Sequence, residues 1–190
     1  MSQTSPVTPY QAFADQSRAR PGATFLLAPA AAELPYAPTG FRFSYAEAFA
    51  RIEDLREAYR AAGYGHGASV ALLLENRPDF FWHWLALNAL GVAILPLNPD
   101  LRAEDLGYQI ALVEPDLVVA LREKQPLLRS ACGPDLCVIT PQDTPPPCRV
   151  RISRHHGESL DPCALLFTSG TTGKPKCCVL SNDYFMTLAR

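Results

Sequence analysis

The sequence predicts an α/β fold built on a mainly parallel sheet with flanking helices. Segments that read as strands begin near residues 69, 92, 116 and 136, and each interval between them carries helical periodicity. Residues 92–97, Val-Ala-Ile-Leu-Pro-Leu, are continuously apolar, as a parallel strand buried on both faces should be. Repeated β-α units lead to parallel strands joined by right-handed crossovers. The spacing carries no residue-level repeat, which excludes a solenoid.

The elements follow in order. A short helix is expected over 10–18 and a strand over 23–28, with 41–43 as its partner across an Ala/Pro-rich loop. Ser44 and Glu47 have capping-box spacing, so a helix starts there. Phe49, Ile52, Leu55 and Tyr59 recur along it at helical intervals, and Gly63 stops it. A strand at 69–74 precedes Pro78, which suits a first helical turn. The helix to about residue 90 is apolar nearly all round, with Phe80, Phe81, Trp82, Trp84, Leu85 and Leu87, so it is buried; Gly91 ends it. After the 92–97 strand, Asn98-Pro99-Asp100 turns the chain into a helix with Ala103, Leu106, Ile110 and Val113 on one face. A strand at 116–121, a weak helix at 123–131 and a strand at 136–140 complete the series. Cys163 to Phe167 read as a buried strand and Cys177 to Leu180 as its hairpin partner. Asn182 reads as the cap of a last helix that Arg190 cuts short. The chain of 190 residues thus divides into a leader and first strand (1–40), β-α units (41–140), a Pro-rich connector (141–162) and a final strand-loop segment (163–190).

Composition narrows the function classes. Hydrophobic residues make up 48%, enough for a real core and against global disorder. A net charge of −2 argues against a nucleic-acid partner. Six cysteines form no C-x-x-C pair and no ligand spacing with His, so they read as reduced thiols of a cytoplasmic protein, with neither disulfide framework nor zinc site. The polar N-terminus lacks the basic and apolar regions of a signal peptide. The apolar run 80–97 approaches membrane-span length, but His83, Asn88, Gly91 and Pro96 divide it into a helix and a strand, so no span is expected. Arg149, Arg151, Arg154, His155 and His156 could form an anion patch; a solvated strand and loop is the preferred reading.

The chemistry concentrates in Thr168-Ser169-Gly170-Thr171-Thr172-Gly173-Lys174-Pro175-Lys176. Hydroxyls and backbone N–H groups donate to phosphate oxygens, glycines let the backbone approach, and lysines supply positive charge. A loop of this kind after a buried strand suits a polyphosphate, the strand end being where α/β proteins place ligand loops. It is not a Walker loop: only two residues separate Gly170 from Gly173, and Pro175 follows Lys174. The bland alternative is a Ser/Thr/Gly-rich surface turn.

The run resembles the signature loop of the adenylate-forming enzymes, which include acyl- and aryl-CoA synthetases, luciferases and peptide-synthetase adenylation domains. Their pattern, Ser/Thr-Ser-Gly-Ser/Thr-Thr-Gly-any-Pro-Lys-Gly, is matched from Thr168 through Lys176. The chain departs from it at Cys177, where the family usually has Gly, and at Asn182, where acyl-CoA synthetases often have His. Gly91-Val-Ala-Ile-Leu-Pro-Leu-Asn-Pro99, the 70–80 segment and Phe43-Ser-Tyr-Ala-Glu47 resemble other family segments in the same order. The general impression is of acyl-CoA synthetases of the carnitine/crotonobetaine or medium-chain type.

The resemblance implies the first part of the family's N-terminal domain, an incomplete domain. In the whole enzyme a carboxylic acid attacks Mg-ATP to give an acyl-adenylate, and CoA then displaces AMP. Thr168, Ser169, Thr171 and Thr172 would donate to the leaving phosphates. Lys176 would be the main charge contact, Lys174 a lesser one, and Gly170 and Gly173 would give the loop freedom. The family's Mg2+-binding Glu and its catalytic Lys lie downstream of this loop. Catalytic residues are therefore expected beyond Arg190, and none within the chain. ATP and pyrophosphate are its expected ligands, with the acid and CoA engaged only in a full-length enzyme. Uncovered strand edges would favour self-association. Two other readings stand beside this one: a complete, non-catalytic nucleotide-binding or partner-docking module, and an unrelated flavodoxin-like α/β protein.

Overall fold

A six-stranded sheet organises the computed structural model, which describes residues 7–31, 34, 36–149, 158–168 and 174–189. Its strands are β3 (Ser69–Leu73), β4 (Ala93–Pro96), β5 (Leu117–Ala120), β6 (Val138–Ile139), β7 (Pro162–Thr168) and β8 (Lys176–Ser181). The spatial order is β6-β5-β3-β4-β7-β8. The first five run parallel, and β8 returns antiparallel to β7. Ahead of the sheet, β1 (Thr24–Ala28) and β2 (Phe41–Ser44) form a separate antiparallel ribbon. The helices are α1 (Pro9–Ala19), α2 (Tyr45–Ala61), α3 (Pro78–Asn88), α4 (Ala103–Val113), α5 (Gln125–Cys132) and α6 (Asn182–Leu188).

Alternation along β3 explains the layering. Val70, Leu72 and the following Leu74 point to one face, where they pack with Ile52 and Tyr59 of α2 and Trp82 and Leu85 of α3. Ala71 and Leu73 point to the other, with Leu106 and Ile110 of α4 and Leu128 of α5. A strand covered on both sides gains nothing from polar residues, hence its unbroken apolar sequence. Each fully buried Ile or Leu here contributes roughly 1.5–3 kcal/mol relative to exposure. On the second face α4 and α5 touch at Gly107, where a β-carbon would stand 2.9 Å from the Ala131 carbonyl oxygen. A larger residue would push the two helices apart.

The predicted elements are present, with boundary differences that have physical causes. The capping box forms: Ser44 Oγ accepts from the Glu47 N–H at 3.2 Å, and the Glu47 carboxylate accepts from the Ser44 N–H at 2.8 Å. The apolar run 80–97 divides into α3 and β4, with Gly91 at φ 72° between them. No helix among the described residues is long and apolar enough to cross a membrane. The segment after β5 opens as a 3-10 turn, Arg122–Lys124, before Pro126 begins the first turn of α5. β6 is only two residues long, because its ladder with β5 is limited to Val118↔Val138 and Val119↔Ile139.

The last helix differs from expectation at both ends. Its N-cap is Ser181, whose Oγ accepts from the Tyr184 N–H at 3.3 Å, and not Asn182. Asn182 is instead buried in the first turn, held by the amide network described below. At the other end α6 closes at Leu188, with Ala189 as its C-cap donating back to the Phe185 carbonyl at 3.2 Å. Arg190, where the helix was expected to be cut, lies outside the described residues. Of the basic cluster, Arg149 is exposed, and Arg151, Arg154, His155 and His156 also lie outside the described residues.

One buried polar chain ties the proline-rich connector to the core. His83 of α3 is 1% exposed. Its Nε2 lies 3.1 Å from the Pro141 carbonyl, which can only accept, so Nε2 carries the proton. Nδ1 therefore accepts from the Tyr59 hydroxyl at 2.8 Å. Burial pushes the imidazole down from 6.5 to about 4, and the Pro141 hydrogen bond opposes this only in part. The unfolded chain then takes up a proton near pH 6.5 that the folded chain refuses until about pH 4. Stability from this group is full above pH 6.5 and is lost as pH falls towards 4, on the order of 3 kcal/mol across the window. Urea midpoints measured from pH 7.5 to 4.5 should fall steeply for the native chain. They should fall less for His83→Gln, which keeps one donor and one acceptor without the titration. Equal slopes for the two would remove His83 as the cause.

Candidate functional site

Parallel strands point their carboxyl ends to one edge of the sheet, and the loops leaving that edge make the site. After β3 the chain leaves towards α3 on one face; after β4 it leaves towards α4 on the other. Loops parting in opposite directions leave a crevice between the two strand ends, the usual ligand position in open α/β sheets. Here the crevice is about 460 Å³, lined by Leu72, Glu75, Asn76, Phe80, Pro96, Leu97, Asn98, Pro99 and Asp100. Its rim is fixed by Arg77, which pairs with Glu75 at 3.2 Å and Glu123 at 3.1 Å and lies 4.7 Å from the Tyr36 ring centroid. Glu75 adopts a left-handed backbone, φ 57°, a strained choice for a non-glycine residue.

The candidate phosphate loop leaves the same edge, next to β4. β7 pairs with β4 through Ile94↔Ala164, and Thr168 is its last residue. β8 begins at Lys176, directly opposite Thr168 in the hairpin register. The hairpin therefore brings Thr168 and Lys176 together at the base of the loop, both exposed. Lys174 is exposed too, its ammonium 5.1 Å from the Tyr108 ring centroid. Ser169, Gly170, Thr171, Thr172 and Gly173 lie outside the described residues. Among the described residues neither Lys174 nor Lys176 forms an ion pair, so two positive charges stand unneutralised at the loop's exit. The crevice further along the edge carries the carboxylates Glu75 and Asp100. Arg77 neutralises Glu75 there, and Lys124 Nζ donates to the Pro99 carbonyl at 3.1 Å, so the crevice is mixed in charge, while Lys174 and Lys176 stand at the β7–β8 end. Phosphate oxygens suit the end that carries these two lysines.

The departures from the family loop pattern have structural partners. Cys177 faces Phe167 across the hairpin, and burial together with neighbouring Cys178 holds its thiol above the usual range, which keeps it protonated and unreactive. Asn182 donates through Nδ2 to the Glu158 carbonyl at 2.8 Å and accepts from Asn88 Nδ2 at 2.8 Å. Asn88 in turn accepts from the Tyr10 N–H at 3.0 Å and lies 3.4 Å from Cys163 Sγ. This amide chain joins α1, α3, α6 and the start of β7. None of the six cysteines is in a disulfide. Among the described residues no group of three His, Cys, Asp or Glu side chains is placed to hold a metal ion.

Sequence reasoning missed Tyr108 and the crevice. Tyr108 sits among the apolar positions of α4 and reads there as an ordinary helix residue; only the tertiary contact reveals its neighbours. The crevice required the strand order, which no local pattern encodes.

Comparison with known proteins agrees with this geometry. The family model described as AMP-binding enzyme matches residues 13–190, up to and including Arg190. A crotonobetaine/carnitine–CoA ligase from Proteus mirabilis is 30% identical over 160 residues, covering 74% of this chain and 31% of the ligase. The ligase of that name from Citrobacter koseri is 28% identical over the same shares. The chain thus spans about a third of the length of these relatives. Among solved structures, the fatty acyl-adenylate ligase from L. pneumophila, in complex with acyl adenylate and pyrophosphate, superposes with a TM-score of 0.77 at 14% identity, over 97% of this chain and 32% of that one. The O-succinylbenzoate coenzyme A synthetase from Bacillus subtilis, in complex with AMP, gives 0.71 at 19% identity, over 96% and 45%. At these identities the structural matches establish the fold alone. The family match spans nearly the whole chain, its segments occur in the family's order, and the loop they share closes at the carboxyl edge of a parallel sheet: the chain belongs to the AMP-binding, adenylate-forming enzymes.

Proposed function

We propose that the chain is the N-terminal portion of an ATP-dependent acyl-CoA ligase and supplies that enzyme's phosphate-binding loop, with the catalytic groups downstream of Arg190 in the full-length protein. The supporting observation is the Thr168↔Lys176 pair, which closes a loop of hydroxyl and glycine residues beside two lysines that form no ion pair among the described residues. In the reaction a carboxylate oxygen bonds to the α-phosphorus of ATP and the bond to the β-phosphate bridge breaks, so pyrophosphate leaves. The sulfur of CoA then bonds to the acyl carbon and AMP leaves. Negative charge accumulates on the departing phosphates in the first step. The chain's contribution is to bind and orient them: hydroxyls of Thr168, Ser169, Thr171 and Thr172 donate, and Lys176, with Lys174, opposes the charge. The names of the curated relatives support CoA as acceptor, and their crotonobetaine and carnitine substrates suggest a small carboxylic acid. An enzyme drawing on ATP and CoA also fits the cytoplasm.

Titration of the 190-residue chain with pyrophosphate and with ATP should give saturable signals. Lys176→Ala should weaken pyrophosphate binding about tenfold or more, as a charge-assisted contact contributes roughly 1.5–3 kcal/mol. No saturation, or an unchanged constant in the variant, would refute the loop's role. Carboxylate-dependent ATP–pyrophosphate exchange by this chain alone should be absent, since the family's catalytic Lys has no counterpart between Met1 and Arg190. Measurable exchange would overturn that.

Self-association belongs to the same reading. Leu160 ahead of β7 (79% exposed), Val179 in β8, the outermost strand of the sheet (62%), and Leu188 at the end of α6 (69%) are exposed large apolar side chains. Sedimentation should show dimers or larger species that Val179→Lys reduces; a monomer at all concentrations would contradict it.

A further inference from the structure

Tyr108 lies on α4, outside the loop motif, yet three contacts aim it at the loop's exit. Its hydroxyl donates to the Pro175 carbonyl at 3.2 Å. Its ring face receives the Lys174 ammonium at 5.1 Å from the centroid. Its edge packs against Phe167 in β7, with centroids 6.3 Å apart. One side chain from another layer of the fold thus contacts both strands' approach to the loop. Pro175 has no N–H and a restricted φ, so its carbonyl is the natural handle by which to hold this turn. The ring is a weak resting place for a cation, since its quadrupole attracts without forming an ion pair. A phosphate oxygen offers the same ammonium a stronger, charge-assisted contact.

We propose that Tyr108 is a positioning residue for the polyphosphate end of the site: its hydroxyl pins the Pro175 carbonyl, and its ring holds the Lys174 ammonium until phosphate takes it. This rests on the phosphate-loop reading above. It gives Lys174 a defined part in binding, and it makes α4 part of the site although no residue of α4 belongs to the loop motif.

The chain has three lysines, Lys124, Lys174 and Lys176, which makes the test direct. With lysines carrying 13C-dimethyl groups, the Lys174 methyl signal of the 190-residue chain should be displaced upfield by the Tyr108 ring current. Tyr108→Phe should keep that displacement, and Tyr108→Leu should abolish it. Inorganic pyrophosphate should move the native signal away from its ring-shifted position as binding saturates. Tyr108→Phe, with its melting temperature unchanged, should weaken pyrophosphate binding about threefold to tenfold through loss of the Pro175 bond. Tyr108→Leu should weaken it at least as much. A Lys174 signal indifferent to Tyr108, or pyrophosphate affinity unchanged in both variants, would overturn the positioning role while leaving the phosphate loop standing. Failure of the native chain to bind pyrophosphate would overturn both.

Discussion

The parallel pairing of β4 with β7 is the contact on which the site depends. It sets Ile94 beside Ala164, residues separated by two helices and two strands of chain. Without it, the loop after β7 would not share an edge with the crevice between β3 and β4. Parallel pairing has no tight turn to enforce it, so other contacts must hold the register. Cys163 and Ala164 are buried against the sheet's neighbours. Asn88 reaches Cys163 and Asn182 from α3, and His66 meets Asp161 at 3.3 Å just ahead of β7. These polar contacts cluster at the start of β7, at the opposite end from the loop. The strand is thus anchored at the end where it enters the sheet, and the loop end is left to its ligand.

Anchoring of this kind explains why Asn182 is where it is. A residue that caps a helix is satisfied by two or three neighbouring N–H groups and can be exposed. Asn182 is 1% exposed, and its amide must donate and accept inside the fold. It does both, to Glu158 and from Asn88, so the last helix is bound to the strand that begins the hairpin. Cys163 contributes a buried thiol pushed up to about 11 by burial, which keeps it neutral beside these amides. The amide chain and the His83 chain follow the same rule. Each buried polar group has a partner from a different element, and each joins a loop to a helix that the hydrophobic effect alone would leave free to slide.

Much of this is legible in the sequence, for identifiable reasons. Strands buried on both faces announce themselves by unbroken apolar runs, so β3, β4 and β5 can be placed to within a residue or two at each end. The capping box at Ser44 is legible because both its hydrogen bonds are local. The loop at 168–176 is legible because it is a consecutive run of specified residue types that matches the family's pattern position by position. What is illegible depends on distant partners. The order β6-β5-β3-β4-β7 follows from where each crossover lands. β6 shrinks to two residues because only Val138 and Ile139 pair with β5, although β5 itself runs four residues. Asn182 reads as a cap because capping propensity is a local statistic and burial is not. Tyr108 is invisible because its value comes entirely from Pro175 and Lys174, more than sixty residues away.

The charge arrangement gives the last link between topology and chemistry. Glu75 and Asp100 sit where loops diverge at the switch point, and the two lysines sit where the hairpin turns back. An edge with one sign of charge throughout would attract a polyphosphate anywhere along its length. An edge with lysines at one end and paired charges at the other, Glu75 on Arg77, draws an elongated anion by one end. The sheet topology decides this, since β4 both borders the crevice and pairs with the strand that enters the hairpin. The strand order therefore sets which end of this edge carries the lysines, independently of any contact the loop itself makes.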